Sequence, residues 1–140
     1  MPSQIDALAA LQQLDQSLRE NTQTVESGRQ KVAELDEAFR KQTEGATAAR
    51  AEADALAARQ RDLEARLTDA EAKMKDKRMR VTRIRNDKEL GLANREVELL
   101  KAETQTLEAE LVTVIEQLEG ATARRDAAEA ELEQLRAARD

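Results

Sequence analysis

A concentration of basic side chains near the middle of the chain is the feature of this sequence that could do chemistry. The stretch from Lys73 to Lys88 holds eight of the 23 lysines and arginines but only two of the 29 acidic residues, so the remainder has 15 basic and 27 acidic residues. Clustered cations attract phosphate groups and acidic protein surfaces. The sequence therefore predicts contact with a nucleic acid or an acidic protein surface at Lys75, Lys77, Arg78, Arg80, Arg83, Arg85 and Lys88.

A purely structural interpretation of these basic residues stays open beside the functional one. Exposed lysines and arginines keep a connection between helices soluble, and they favour the C-terminal end of a helix through its dipole. The sole aromatic residue of the chain is Phe39, far from the basic stretch. Because recognition of single-stranded bases usually relies on aromatic stacking, we do not expect sequence-specific reading of nucleic acid by these residues.

Catalysis and metal binding have little support in the composition. The chain contains no cysteine and no histidine, so it has no disulfide, no thiol nucleophile and no imidazole ligand. Its carboxylates are numerous, but on helices of this composition they are expected to be solvated rather than enclosed in a cleft. We therefore expect a protein that is not an enzyme and that holds no cofactor within this chain.

A seven-residue apolar repeat indicates which elements must position the basic residues. Apolar residues recur every three or four positions from about Ala7 to Ile84, and again from Leu90 to Leu135 in a shifted register. Such a repeat is typical of helices that pack along a narrow seam, so we predict an all-α chain that forms a single coiled-coil domain over residues 1–140. The predicted seam includes Leu11, Leu14, Leu18, Val25, Val32, Phe39, Ala46, Ala53, Leu63, Leu67, Ala70, Met74, Val81, Leu100, Leu107, Leu111, Val114, Ala121 and Leu135.

The register shift predicts where the chain reverses. The residues between Ile84 and Leu90 are polar, and Asn86 followed by Glu89 has the spacing of a capping box that starts a second helix. We therefore predict a long antiparallel helical hairpin with helix 1 over about 3–84, a turn near 85–89 and helix 2 over about 88–138. The alternative is one uninterrupted helix with a stutter in its repeat, which would form a parallel dimeric rod.

The hairpin would leave an apolar stripe near the start of the chain uncovered. Helix 2 is too short to reach the first thirty or so residues, yet the heptad repeat is present there. Exposed apolar stripes of this kind need cover, so we expect either a polypeptide that continues beyond Asp140 or pairing between two molecules. The absence of a helix stop before Asp140 favours the longer polypeptide. The stripe residues predicted for self-association are Leu8, Leu11, Leu14, Leu18 and Val25.

The sequence shows no sign of a membrane segment or a targeting segment. Charged residues make up 37% of the chain, and no apolar run approaches the ~18 residues needed to span a bilayer. The N-terminus also lacks the basic and apolar regions of a signal peptide. We therefore expect a soluble, cytoplasmic protein without a membrane partner.

From Lys77 onward the sequence carries a series of short motifs: Lys77-Arg78, Val81, Asn86, Lys88-Glu89-Leu90, Leu92, Arg95-Glu96-Val97, Leu100-Lys101, Leu107-Glu108-Ala109-Glu110-Leu111 and Glu116-Gln117-Leu118-Glu119, in a chain that opens with the stretch from Leu8 to Leu18. The resemblance of these motifs is to a bacterial family of coiled-coil proteins that end in a four-cysteine zinc ribbon. It implies a long antiparallel hairpin followed by a zinc-binding module. It also implies an adaptor or chaperone-like regulator associated with flagellar or type III secretion components, with an alternative sigma factor, or with RNA. Because this chain has no cysteine, the zinc ribbon and its zinc are absent from it.

The sequence as a whole predicts an interaction module rather than an enzyme. We expect a helical hairpin that docks protein partners, with a basic tip that contacts an acidic surface or nucleic acid. The structural alternative is a parallel dimeric rod or tether.

Overall fold

The computed structural model describes residues 2–139, and the all-α class predicted from the sequence is confirmed for them. Helix α1 spans Pro2–Val81 and helix α2 spans Asp87–Arg139, with no strand among these residues. Both helices are rich in alanine, leucine, glutamate and arginine, which have high helix propensity. The glycines at 28 and 45 do not interrupt α1, because a long helix tolerates the cost of a single glycine.

The connection between the helices begins earlier than predicted. Helix α1 ends at Val81 rather than at Ile84, and residues 82–86 are not α-helical. Backbone N–H groups of Arg83 and Ile84 donate to carbonyls three residues earlier, at 3.0 and 3.3 Å, so the last turn tightens and stops. The Thr82 hydroxyl also donates to the Met79 carbonyl at 2.7 Å and satisfies another carbonyl at the helix end. Thus α1 and α2 are two separate helices.

Asn86 caps the start of α2. Its side-chain Oδ1 accepts a hydrogen bond from the Lys88 backbone N–H at 2.9 Å, and its carbonyl accepts the first helical bond, from the Leu90 N–H at 2.9 Å. Asp87 and Glu89 place negative charge in the first turn, where it complements the helix dipole. The helix therefore begins at Asp87, one residue before the predicted start near 88.

We expect Asn86→Ala to destabilise the protein by about 1 kcal/mol, because the cap would be lost and an N–H at the helix start would lose its partner. The measurement is urea unfolding followed by circular dichroism. Asn86→Asp keeps an accepting oxygen and is expected to stay within about 0.5 kcal/mol of the parent. Equal losses in the two variants would contradict a capping role.

The chain divides into two compact units. One spans Gly45–Ala130, and the other combines α1 as far as Glu44 with α2 from Glu131 onward. In the Gly45–Ala130 unit, a buried cluster lies on positions of the apolar repeat. Burial in this unit therefore follows the seven-residue pattern of the sequence. The cluster consists of Leu63, Ala70, Leu107 and Val114, with Leu67 and Leu111 packed against it.

Ion pairs join α1 to α2 within the Gly45–Ala130 unit. Their side chains are about half exposed, so each pair contributes only about 0–1 kcal/mol. The four pairs are Arg50–Glu129 at 2.8 Å, Glu52–Arg124 at 2.9 Å, Arg59–Glu110 at 3.4 Å and Lys77–Glu96 at 2.8 Å.

The buried Thr104 has a hydrogen-bond partner within its own helix. Its hydroxyl donates to the Leu100 carbonyl at 2.8 Å.

In the other unit, the end of α2 meets α1 through Arg139. Its Nε lies 3.4 Å from Asp36 Oδ1, and its guanidinium lies 5.0 Å from the centre of the Phe39 ring.

In the same unit, Arg40 donates a hydrogen bond to Glu37, and this bond lowers the pKa of the Glu37 carboxyl. Residues 3–38 of α1 are all exposed.

Candidate functional site

The predicted basic residues occupy the junction of the two helices. Lys75 to Arg80 lie in the last turns of α1, Arg83 and Arg85 lie in the connection, and Lys88 lies in the first turn of α2. All are exposed except Lys77, which is half-buried. We call this set the basic cluster; it comprises Lys75, Lys77, Arg78, Arg80, Arg83, Arg85 and Lys88.

Two members of the basic cluster have acidic partners. Lys77 Nζ lies 2.8 Å from Glu96 Oε2 on α2, and Arg80 Nη2 lies 3.5 Å from Asp76 Oδ2 one turn earlier on α1. The side chains of the other five members form no ion pair with any described residue. The junction therefore presents five exposed cations whose charge is not neutralised by a contacting carboxylate from residues 2–139. These five are Lys75, Arg78, Arg83, Arg85 and Lys88.

Lys77 is the weakest member of the cluster as a contact residue. It lies on a seam position of the apolar repeat, and its ion pair with Glu96 joins the two helices. A side chain held in this way contributes to packing through its aliphatic stem. Its charge is already matched within the chain.

An exposed methionine lies among the cations, and it was not predicted from the sequence as a contact residue. A shallow groove beside the end of α1 is lined by two methionines, three cations, one carboxylate and one hydroxyl, namely Met74, Met79, Lys75, Arg78, Arg83, Glu71 and Thr82. Met79 is 53% exposed. The sequence signal was an apolar residue off the seam among basic residues. Methionine adapts its shape to different partners, so the groove offers an apolar contact bordered by three cations and one carboxylate.

The apolar stripe predicted near the start of α1 is exposed along its whole length. Val32, on the same seam, is 58% exposed, and Ile5 is 73% exposed. The described residues thus include two candidate interaction surfaces, one charged and one apolar. The predicted stripe members, with exposed fractions between 52% and 59%, are Leu8, Leu11, Leu14, Leu18 and Val25.

No known protein family, curated protein or solved structure matches this chain. The resemblance to the zinc-ribbon family therefore stays a prediction. The predicted partners likewise have no support from relatives.

Residues 2–139 have neither a helix that could span a membrane nor a group of side chains that could hold a metal ion. Neither helix has a stretch within these residues that is long and apolar enough to cross a membrane. In the same part of the chain, no three acidic side chains converge in an arrangement that could hold a metal ion.

Proposed function

We propose that this protein is a non-enzymatic adaptor whose basic cluster docks an anionic partner. The observation that carries the proposal is the group of five exposed cations at the helix junction that have no ion pair with a described residue. Outside the stretch from Lys73 to Lys88 the chain is acidic, with 27 acidic against 15 basic residues. An anionic partner is therefore attracted to the junction and repelled by the remainder of the surface.

We further propose that the two helices form an antiparallel hairpin with the basic cluster at its tip. The order of the ion pairs supports this architecture. The residue number of the α1 partner rises from Arg50 to Lys77, while the residue number of the α2 partner falls from Glu129 to Glu96. This opposite order is the one expected for antiparallel helices. A hairpin brings the cations of the connection beside the last turns of α1 and concentrates their charge in one place.

An acidic protein segment fits the cluster better than a nucleic acid does. The exposed Met79 gives an apolar contact that a phosphate backbone cannot use, whereas an acidic helix with apolar residues can. The cluster also lacks aromatic side chains on which bases could stack. Nucleic acid binding is accordingly the alternative outcome of the experiment below.

The resemblance to the zinc-ribbon family suggests which cellular components the protein would contact. By that resemblance, the protein is an adaptor or chaperone-like regulator for secretion, flagellar or sigma-factor components. Zinc would belong to a ribbon that this cysteine-free chain does not contain. The structural alternative, a parallel rod or tether, requires helix through residues 82–86, where the helix is interrupted.

The test removes three cluster cations and compares the result with a variant of equal charge. Arg78→Gln, Arg83→Gln and Arg85→Gln are combined in one protein. The probes are a peptide of glutamate and leucine and a thymidine oligonucleotide, each titrated at several salt concentrations by fluorescence anisotropy. The control combines substitutions at three exposed residues that make no ion pair with a described residue, namely Arg19→Gln, Lys41→Gln and Arg61→Gln.

We expect the cluster variant to lose about tenfold or more in affinity for the peptide at low salt, and the control about threefold or less. The parent affinity should also fall as salt rises, with a shallower dependence in the cluster variant. Tighter binding of the oligonucleotide than of the peptide would replace the protein partner by nucleic acid. Equal losses in both variants would reject the cluster as a docking site.

A further inference from the structure

The apolar side chains of the stripe at the start of α1 are exposed to solvent and need cover. We propose that a second copy of this chain covers the stripe, with the two stripes paired in antiparallel orientation. Each side chain of the stripe is more than half exposed. Together with Val32, which lies on the same seam, the apolar stripe comprises Leu8, Leu11, Leu14, Leu18, Val25 and Val32.

The repeat within the stripe identifies the kind of occupant. The stripe continues the seven-residue spacing that leads from Val25 and Val32 to Ala46 and Ala53. Those two alanines are 2% exposed because they pack within the Gly45–Ala130 unit. A seam of this spacing is complementary to another helix that has its own apolar seam. The occupant is therefore a helix rather than a small molecule or a flat surface.

Charge around the stripe favours a copy of the same helix. From Pro2 to Leu35 there are three basic and five acidic residues, so this part of α1 is close to neutral. A strongly acidic or strongly basic partner would gain little attraction here. The start of α1 is itself a nearly neutral helix with an apolar seam. A second copy of it is therefore a suitable partner for the stripe.

Two interruptions of the seam favour the antiparallel orientation. Asn21 and Gly28 occupy seam positions, and a Cβ added at Gly28 would meet nothing within 4 Å. In an antiparallel pair with Leu18 opposite Asn21, Leu11 lies opposite Gly28. Each small or polar position then faces a leucine of the other copy. A parallel pair would instead place glycine opposite glycine and leave a gap.

The size of the stripe sets the expected strength of the contact. At ~1.5 Å per residue, the segment from Leu8 to Val32 is about 40 Å long, and a helix is about 10 Å wide. Pairing would bury on the order of 1,000 Å² in total, near the lower limit for a specific interface. We therefore expect a weak, concentration-dependent dimer.

Sedimentation equilibrium of the full chain tests the proposal from about 1 µM to about 500 µM. We expect a monomer–dimer equilibrium that Leu11→Gln with Leu18→Gln weakens about tenfold or more, because two apolar contacts per copy become polar. The matched control is Leu92→Gln with Leu99→Gln, since both leucines are exposed but lie outside the stripe. The control is expected to dimerise like the parent.

Engineered cysteines test the orientation, because the natural chain has none. In the antiparallel pair Leu14 lies opposite Val25, so Leu14→Cys with Val25→Cys is expected to give disulfide-linked dimers, whereas Leu14→Cys alone is expected to give few. A parent chain that stays monomeric throughout, or equal dimerisation of the stripe variant and the parent, would overturn the proposal. Efficient cross-linking of Leu14→Cys alone would overturn the antiparallel pairing.

Discussion

Leu63→Ala is expected to lower the free energy of unfolding by about 2–5 kcal/mol. Leu63 has no exposed surface, and it packs with Ala70, Leu107 and Val114 in the buried cluster of the Gly45–Ala130 unit. Truncation removes buried methyl groups and leaves a cavity between helices that have little other core. Urea unfolding followed by circular dichroism measures the effect, and the midpoint should move to a lower urea concentration.

The control for this prediction is Leu99→Ala, because Leu99 is 71% exposed on α2. This substitution removes the same atoms from a helix of the same unit, but from its surface. We expect a change within about 0.5 kcal/mol. Similar losses at the two positions would mean that burial at Leu63 does not determine stability, and the buried cluster described above would be wrong.

The seam was predictable from the sequence because burial here depends on a single periodicity. Ala46, Ala53, Leu63, Leu107 and Val114 were assigned to the seam from spacing alone, and all five are buried. A chain without a globular interior has few other ways to bury apolar surface. The exposure of the stripe at the start of α1 was predicted by the same reasoning.

The end of α1 was not predictable to the residue. Ile84 fits the apolar repeat and remains half-buried, yet it lies beyond the helix. The apolar repeat indicates which side chains face the seam, but it does not determine where the helix ends. The end of the helix depends on local hydrogen bonds. Those bonds are the tightened turn after Arg80 and the cap at Asn86. Only the cap has a recognisable sequence signature.

The candidate site was predictable as a charge cluster but not in its details. The count of basic residues identified the region, whereas the ion pair of Lys77 with Glu96 depends on the packing of α1 against α2. Met79 is exposed because it lies off the seam, and only its surroundings in the groove required the structure. Composition therefore predicted the region of the candidate site, and three-dimensional contacts determine which of its side chains are free of an ion pair with a described residue.

The proposed antiparallel hairpin leads to an all-or-none expectation in cross-linking. Arg50 and Glu129 are 79 positions apart in sequence, and their side chains meet at 2.8 Å. We expect Arg50→Cys with Glu129→Cys to be joined within one molecule by a short, flexible bis-maleimide. The loss of this half-exposed ion pair should cost no more than about 1 kcal/mol, so the helices should stay packed.

Arg50→Cys with Glu96→Cys provides the matched control, because Glu96 pairs with Lys77 rather than with Arg50. Positions 50 and 77 lie about 40 Å apart along α1, at ~1.5 Å per residue, and a short reagent cannot span that distance. At low protein concentration, mass spectrometry of protease fragments should find the 50–129 link within monomers and no 50–96 link. Links found only between molecules would reject the hairpin, because the two helices would then pack in different copies of the chain. The basic cluster would in that case lose the position at a tip on which its docking role depends.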